Sequence, residues 1–187
     1  MNKTGYQGEH LGGWYEKDGN TYMPDVWDRL IQEYGVRSVV DVGCGSGINT
    51  LYFKENGCRV LGVEGDAAAI AVSKIPDDVV GHDYTLGPFV PDGDWDLGWS
   101  SEFLEHVDEQ YQANYMATFK KCRHICVTHA VPNQPGYHHV NCKDDGYWLN
   151  RFTEQGFTLD PVMTAWLRST DVFKAGWGRC TLMMFHR

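Results

Sequence analysis

The chain has 187 residues and a net charge of −9, from 16 Lys and Arg against 25 Asp and Glu, so its long-range field repels a phosphate backbone and excludes a nucleic-acid coat protein. Hydrophobic residues at 42% and charged residues at 22% are the composition of a globular domain rather than a disordered or fibrous chain. The longest apolar run, AAAIAV at 67–72, is six residues, against the roughly 20 that a membrane helix needs.

The polar, glycine-rich start MNKTGYQGEHLGGWY lacks the apolar stretch of a secretory signal, and a cytoplasmic protein without membrane contact is expected. The six cysteines are scattered, with no recurring C-x-x-C pair, which argues against a cysteine zinc site and for reduced thiols.

Short runs rich in Val and Ile alternate with segments of helical spacing, the pattern of a parallel sheet wrapped by helices, and predict a single α/β domain over 1–187. Residues 1–23 carry His10, Trp14, Tyr15 and Tyr22, which leaves two readings open: a lid that folds over the cofactor, or a surface segment whose rings pack on the first helix. Pro24 opens a helix in which Val26, Leu30, Ile31 and Tyr34 share a face, and Gly35 closes it. Strands are predicted at 37–42, 59–63, 79–82, 94–99 and 124–129, with helices over 48–56, 66–74, 108–122 and 144–155. Two more strands, 157–160 and 180–186, bring the count to seven, and between them 161–179, with Trp166, Arg168 and Trp177, reads either as a substrate-side insertion or as a segment whose aromatics are plain core.

Directly after the first strand stands DVGCGSGI, residues 41–48, where glycines let the backbone turn tightly and approach a nucleotide-like ligand. The dinucleotide pattern G-x-G-x-x-G needs a glycine at position 48, which is Ile48. Asp41 at this strand end faces the pyrophosphate of NAD unfavourably but attracts an ammonium and a sulfonium, and S-adenosylmethionine carries both. Glu64, placed 21 residues after Gly43, is suited to accept from ribose hydroxyls. After the third strand, Asp83 can accept from an adenine amine and Tyr84 can stack on the ring.

These segments, VVDVGCGSG, VLGVEGD and DWDLGWSSEFLEHV, resemble in order the motifs of the class I S-adenosylmethionine-dependent methyltransferases, from about Val36 to Val131. The resemblance implies a Rossmann-like seven-stranded sheet, mostly parallel with an antiparallel last strand and helices on both faces, with cofactor and substrate over the carboxyl ends of the strands. It assigns Asp41, Gly43, Cys44, Gly45 and Gly47 to the methionine moiety and Glu64 to the ribose. Asp83 and Tyr84 go to the adenine, and Gly65 and Ser100 join the cofactor set.

Ser100 and Ser101 are suited to cap a helical turn that puts Glu102, Glu105 and His106 on one face at i, i+3 and i+4. One reading is that this turn seats the cofactor or caps a loop. The other is a divalent metal held by Glu102, Glu105, His106 and His139. The pattern E-x-x-E-H with a distant His resembles the magnesium-dependent 2′-O-methyltransferases of small RNAs and some ubiquinone-pathway O-methyltransferases. Transfer to a hydroxyl needs a base, for which His106, His129 and His139 are the candidates. No N-P-P-Y or D-P-P-Y follows the fourth strand, which disfavours base or amide N-methylation, and no Pro-Cys supports attack on a pyrimidine carbon.

The leading expectation is therefore methyl transfer to a small molecule at oxygen. The alternatives are a metal-assisted RNA or protein methyltransferase and a non-catalytic S-adenosylmethionine-binding regulator. Charge bears on the choice: between Lys74 and Lys120 there are ten acids and no Lys or Arg, so the predicted chemistry lies in the acidic part of the chain.

Overall fold

The computed structural model describes residues 10–11, 21–169 and 178–187; Trp14, Tyr15 and Trp177, whose segments are read two ways above, lie outside them. Helix α1 (Pro24–Tyr34) begins at a proline, whose missing N–H is harmless in a first turn, and ends at Gly35 in the left-handed region at φ 64°. Strand β1 (Ser38–Val42) follows and is buried at every residue, as a central parallel strand covered on both faces must be.

The chain continues as α2 (Ile48–Glu55), β2 (Arg59–Glu64), α3 (Ala67–Ala71), β3 (Val79–Gly81), β4 (Trp95–Ser100), α4 (Gln112–Phe119) and β5 (Cys122–Val127). It ends with α5 (Asp145–Glu154), β6 (Thr158–Leu159), α6 (Pro161–Ser169), α7 (Gly178–Thr181) and β7 (Met183–His186). The seven strands lie in the order β3-β2-β1-β4-β5-β7-β6. β7 is antiparallel to β5 and β6, and the other pairs are parallel. This is the expected Rossmann-like sheet.

Alternation along the strands splits the apolar residues between two cores. Val40, Val42, Ile125 and Val127 meet Phe119 of α4 and Trp148 and Phe152 of α5. Val39, Leu97, Trp99 and Cys126 face the other way, onto Trp27 and Leu30 of α1, Phe53 of α2 and Met163 and Leu167 of α6. Each such side chain contributes about 1.5–3 kcal/mol by leaving water. Trp166 of α6 stacks under the Arg29 guanidinium, 3.8 Å from the ring centroid, which ties α6 to α1.

Several boundaries differ from the sequence reading: α4 spans Gln112–Phe119 rather than 108–122, and β5 spans Cys122–Val127 rather than 124–129. α3 stops at Ala71 rather than 74 because the Lys74 amide donates to the Ser46 carbonyl at 2.8 Å, which pulls the chain toward the glycine loop. The segment 180–182 belongs to the α7 turn and its exit, so β7 starts at Met183. The turn after β4 is a single 3-10 turn, Leu104–His106, because Glu102 sits at φ 54° and no helix runs through a left-handed residue. Glu102 therefore does not share a helical face with Glu105 and His106.

Candidate active site

The carboxyl ends of β1, β2, β3, β4 and β5 border one cavity of about 600 Å³. After β1 the chain turns back through Gly43 and Gly47 at φ 73° and 76°, a region that costs a residue with a side chain about 1–2 kcal/mol. Space demands glycine too: a Cβ on Gly43 would collide with the Phe103 ring, and one on Gly47 would lie 2.5 Å from Ile75 Cγ1.

Glu64 closes β2 and holds the loop. Its Oε2 accepts from the Gly45 amide at 2.7 Å and its Oε1 from the Asp66 amide at 2.8 Å. Burial raises its carboxyl above the usual range, and these two amides oppose the rise. Asp83, after β3, accepts from the Thr85 amide and hydroxyl, both at 2.8 Å, and meets His10 Nε2 at 2.8 Å. Burial acts to raise its carboxyl, but His10 and Thr85 outweigh it and hold Asp83 below the ordinary value. Tyr84 lines the cavity with its ring, and its hydroxyl pairs with Thr118 Oγ1 at 2.8 Å.

Gly43, Cys44, Gly45, Glu64, Gly65, Asp83, Tyr84, Glu102, His106 and His139 all line this cavity. Asp41, Gly47, Ser100 and His129, expected in the site, do not. Asp41 is 2% exposed and accepts from the Thr50 hydroxyl at 2.6 Å behind the loop. Its burial pushes the carboxyl up to about 7, which Thr50 partly opposes and the charge of Glu64 reinforces. Ser100 is fully buried and donates to the Val42 carbonyl at 2.8 Å, clamping β4 to β1. His129 is buried against Asp145 at 3.0 Å, and Arg168 meets the other Asp145 oxygen at 2.6 Å. These are framework contacts: a strand end supplies the right position, but side-chain direction decides between cavity and interior.

Behind the cavity wall the fully buried Glu105 meets two residues that line it, His106 and His139, and the three bring their ligand-type atoms within 4.8 Å of one another. The two imidazole rings meet edge to face with centroids 5.0 Å apart. Burial, with the neighbouring His139 and His138, pushes His106 down to about 4, so its ring is neutral near pH 7. Burial, then the charge of Glu102, raises the Glu105 carboxyl well above its usual value. His139 Nδ1 lies 3.1 Å from the Gln134 carbonyl, so it carries the proton there and Nε2 keeps a lone pair.

Sequence reasoning passed over Phe103, Ser101, Asn49 and the loop residues Gln134, Gly136 and Tyr137, all of which line the cavity. The signal for the loop was its place after β5, on the carboxyl edge; Phe103 gave none.

Residues 40–124 match the family model of a methyltransferase domain. No curated protein sequence gives a significant match. Among solved structures, magnesium protoporphyrin IX methyltransferase (ChlM) from Synechocystis PCC 6803 with bound SAH is similar at TM-score 0.65 and 14% identity, over 87% of this chain and 80% of that one. A TehB-like SAM-dependent methyltransferase from Corynebacterium glutamicum is similar at TM-score 0.64 and 19% identity, over 88% and 86%. The methyltransferase domain of bacterial CtHen1-CN follows at TM-score 0.61 and 15% identity, over 88% and 97%. At these identities the likeness is one of fold. The matched segment runs from β1 into β5, the strands whose ends border the cavity, and over that segment the chain is similar to a methyltransferase domain.

Proposed function

We propose that this protein transfers a methyl group from S-adenosylmethionine to the oxygen of a small-molecule acceptor. One observation carries the reading: a single cavity of about 600 Å³ joins Gly43, Gly45, Glu64 and Asp83 to Glu102, His106 and His139. The first group suits the cofactor. Glu64 and Asp83 still have lone pairs for ribose hydroxyls and an adenine amine, since an ionised carboxylate accepts about four hydrogen bonds. The second group suits a hydroxyl acceptor. His139, with its lone pair at Nε2, takes the proton, and neutral His106 orients the hydroxyl; in-line displacement at a sulfonium asks little more than such positioning. The basic residues Lys120, Lys121, Arg123 and Arg187 cluster beside Trp95 and Cys122, at the amino ends of β4 and β5. They lie away from the cavity, which argues for a metabolite over RNA.

Thermal shifts with S-adenosylhomocysteine and NAD test the cofactor: stabilisation by the former supports the reading, and stabilisation by NAD alone refutes it. Incubation with methyl-labelled cofactor and a heat-treated metabolite extract tests transfer, which His139→Ala should slow by roughly 100-fold or more. Cofactor binding without any transfer would favour a regulator. Filter binding of RNA that falls steeply with salt would favour a polyanion.

A second reading adds a divalent metal. The Glu105 carboxylate oxygens and His106 Nδ1 are buried without a protein partner at hydrogen-bond geometry, and these residues with His139 form the one candidate metal cluster among the described residues. The donors fit an ion, and two imidazoles suit Mn²⁺ or Zn²⁺ better than Mg²⁺. Such an ion would supply Lewis acidity to the acceptor hydroxyl. Mn²⁺ titration followed by electron paramagnetic resonance should show a site that Glu105→Ala abolishes; transfer unchanged by EDTA and by that substitution would refute this reading.

A further inference from the structure

Glu102 adopts φ 54°, a conformation that a residue with a side chain keeps only where its surroundings compel it. The compelling group is Thr128, fully buried just past β5. Its hydroxyl accepts from the Glu102 amide at 2.7 Å and donates to Glu102 Oε1 at 2.8 Å. One oxygen thus fixes both the backbone and the carboxylate of the same residue. The Thr128 amide donates to the Ser100 carbonyl at 3.1 Å, so the clamp is itself anchored to β4. Glu102 lines the cavity and Thr128 does not.

We propose that Thr128 is a positioning residue for methyl transfer. Through its hydroxyl it holds the Glu102 carboxylate at the acceptor end, where that carboxylate orients the acceptor hydroxyl beside His106 and His139. The proposal rests on the reading of the cavity as a methyl-transfer site. Without the hydroxyl, Glu102 relaxes to negative φ and its carboxylate leaves the acceptor end, while the cofactor end is untouched.

The test compares wild type, Thr128→Val, Thr128→Ser and Glu102→Gln for S-adenosylhomocysteine affinity by calorimetry and for transfer of labelled methyl into a heat-treated metabolite extract. Thr128→Val should bind within about twofold of wild type yet transfer at least roughly tenfold more slowly, the loss of one charge-assisted hydrogen bond. Thr128→Ser, which keeps the hydroxyl, should restore most of the rate. Adding Thr128→Val to Glu102→Gln should cost nothing more, since both act through one carboxylate. Wild-type transfer rates in Thr128→Val, or losses that multiply in the double variant, overturn the proposal. Should Thr128→Val fail to fold, Glu102→Gln with unimpaired transfer overturns it alone. A wild type that binds S-adenosylhomocysteine and methylates nothing refutes the transfer reading and this proposal with it.

Discussion

Replacing Asp41 by Asn should make the protein less sensitive to rising pH. In the fold, burial lifts this carboxyl from 3.8 to about 7, so between those values the native state holds a proton that the unfolded chain has released. Stability must then fall as pH rises through that window, since the state that binds fewer protons gains with pH. At about 1.36 kcal/mol per pH unit, the full effect is about 4 kcal/mol, of which roughly 3 kcal/mol falls above pH 5. Asn has the neutral shape and still accepts from Thr50, whose hydroxyl lies 2.6 Å from Asp41 Oδ2. Urea unfolding followed by tryptophan fluorescence should show the variant gaining about 3 kcal/mol on wild type between about pH 5 and pH 8. In melting temperature this is roughly 6–12 °C. A stability difference that does not change with pH would refute the assignment of a protonated, buried Asp41.

Thr50→Val removes the one contact that lowers the Asp41 pKa, so the pH at which wild type loses stability should move upward in the same unfolding assay. Gly43→Ala places a methyl group on the Phe103 ring at a residue of φ 73°. It should cost at least about 1–2 kcal/mol of stability and roughly tenfold or more in S-adenosylhomocysteine affinity by calorimetry; unchanged binding would show that the loop does not contact the ligand. His129→Ala strips a buried partner from Asp145 and should destabilise by about 1–3 kcal/mol. It should leave S-adenosylhomocysteine affinity as it was, and a parallel loss of binding would return His129 to the site.

The sheet was legible because its causes are local and repeated. Val-rich runs of strand length, a proline at the start of α1 and Gly35 at its end each signal by residue type, and the seven strands follow with boundaries shifted by a few residues. α3 was misjudged because its end depends on a distant carbonyl, that of Ser46. The acidic turn was misjudged for a similar reason: the spacing of Glu102, Glu105 and His106 suits a helix, but Thr128, 26 residues away, turns Glu102 left-handed.

By itself, then, the sequence determined the architecture, the place of the cavity at the carboxyl ends of the strands and the glycine loop beside Glu64, because periodicity and glycine chemistry act over a few neighbouring residues. Only the tertiary structure decided which strand-end groups face the cavity. Asp41, Ser100 and His129 turn inward onto Thr50, Val42 and Asp145. Phe103 and the loop after β5 fill the space over Gly43 and beyond. Side-chain direction and hydrogen-bond partners are set by residues far apart in the chain, and no local pattern records them.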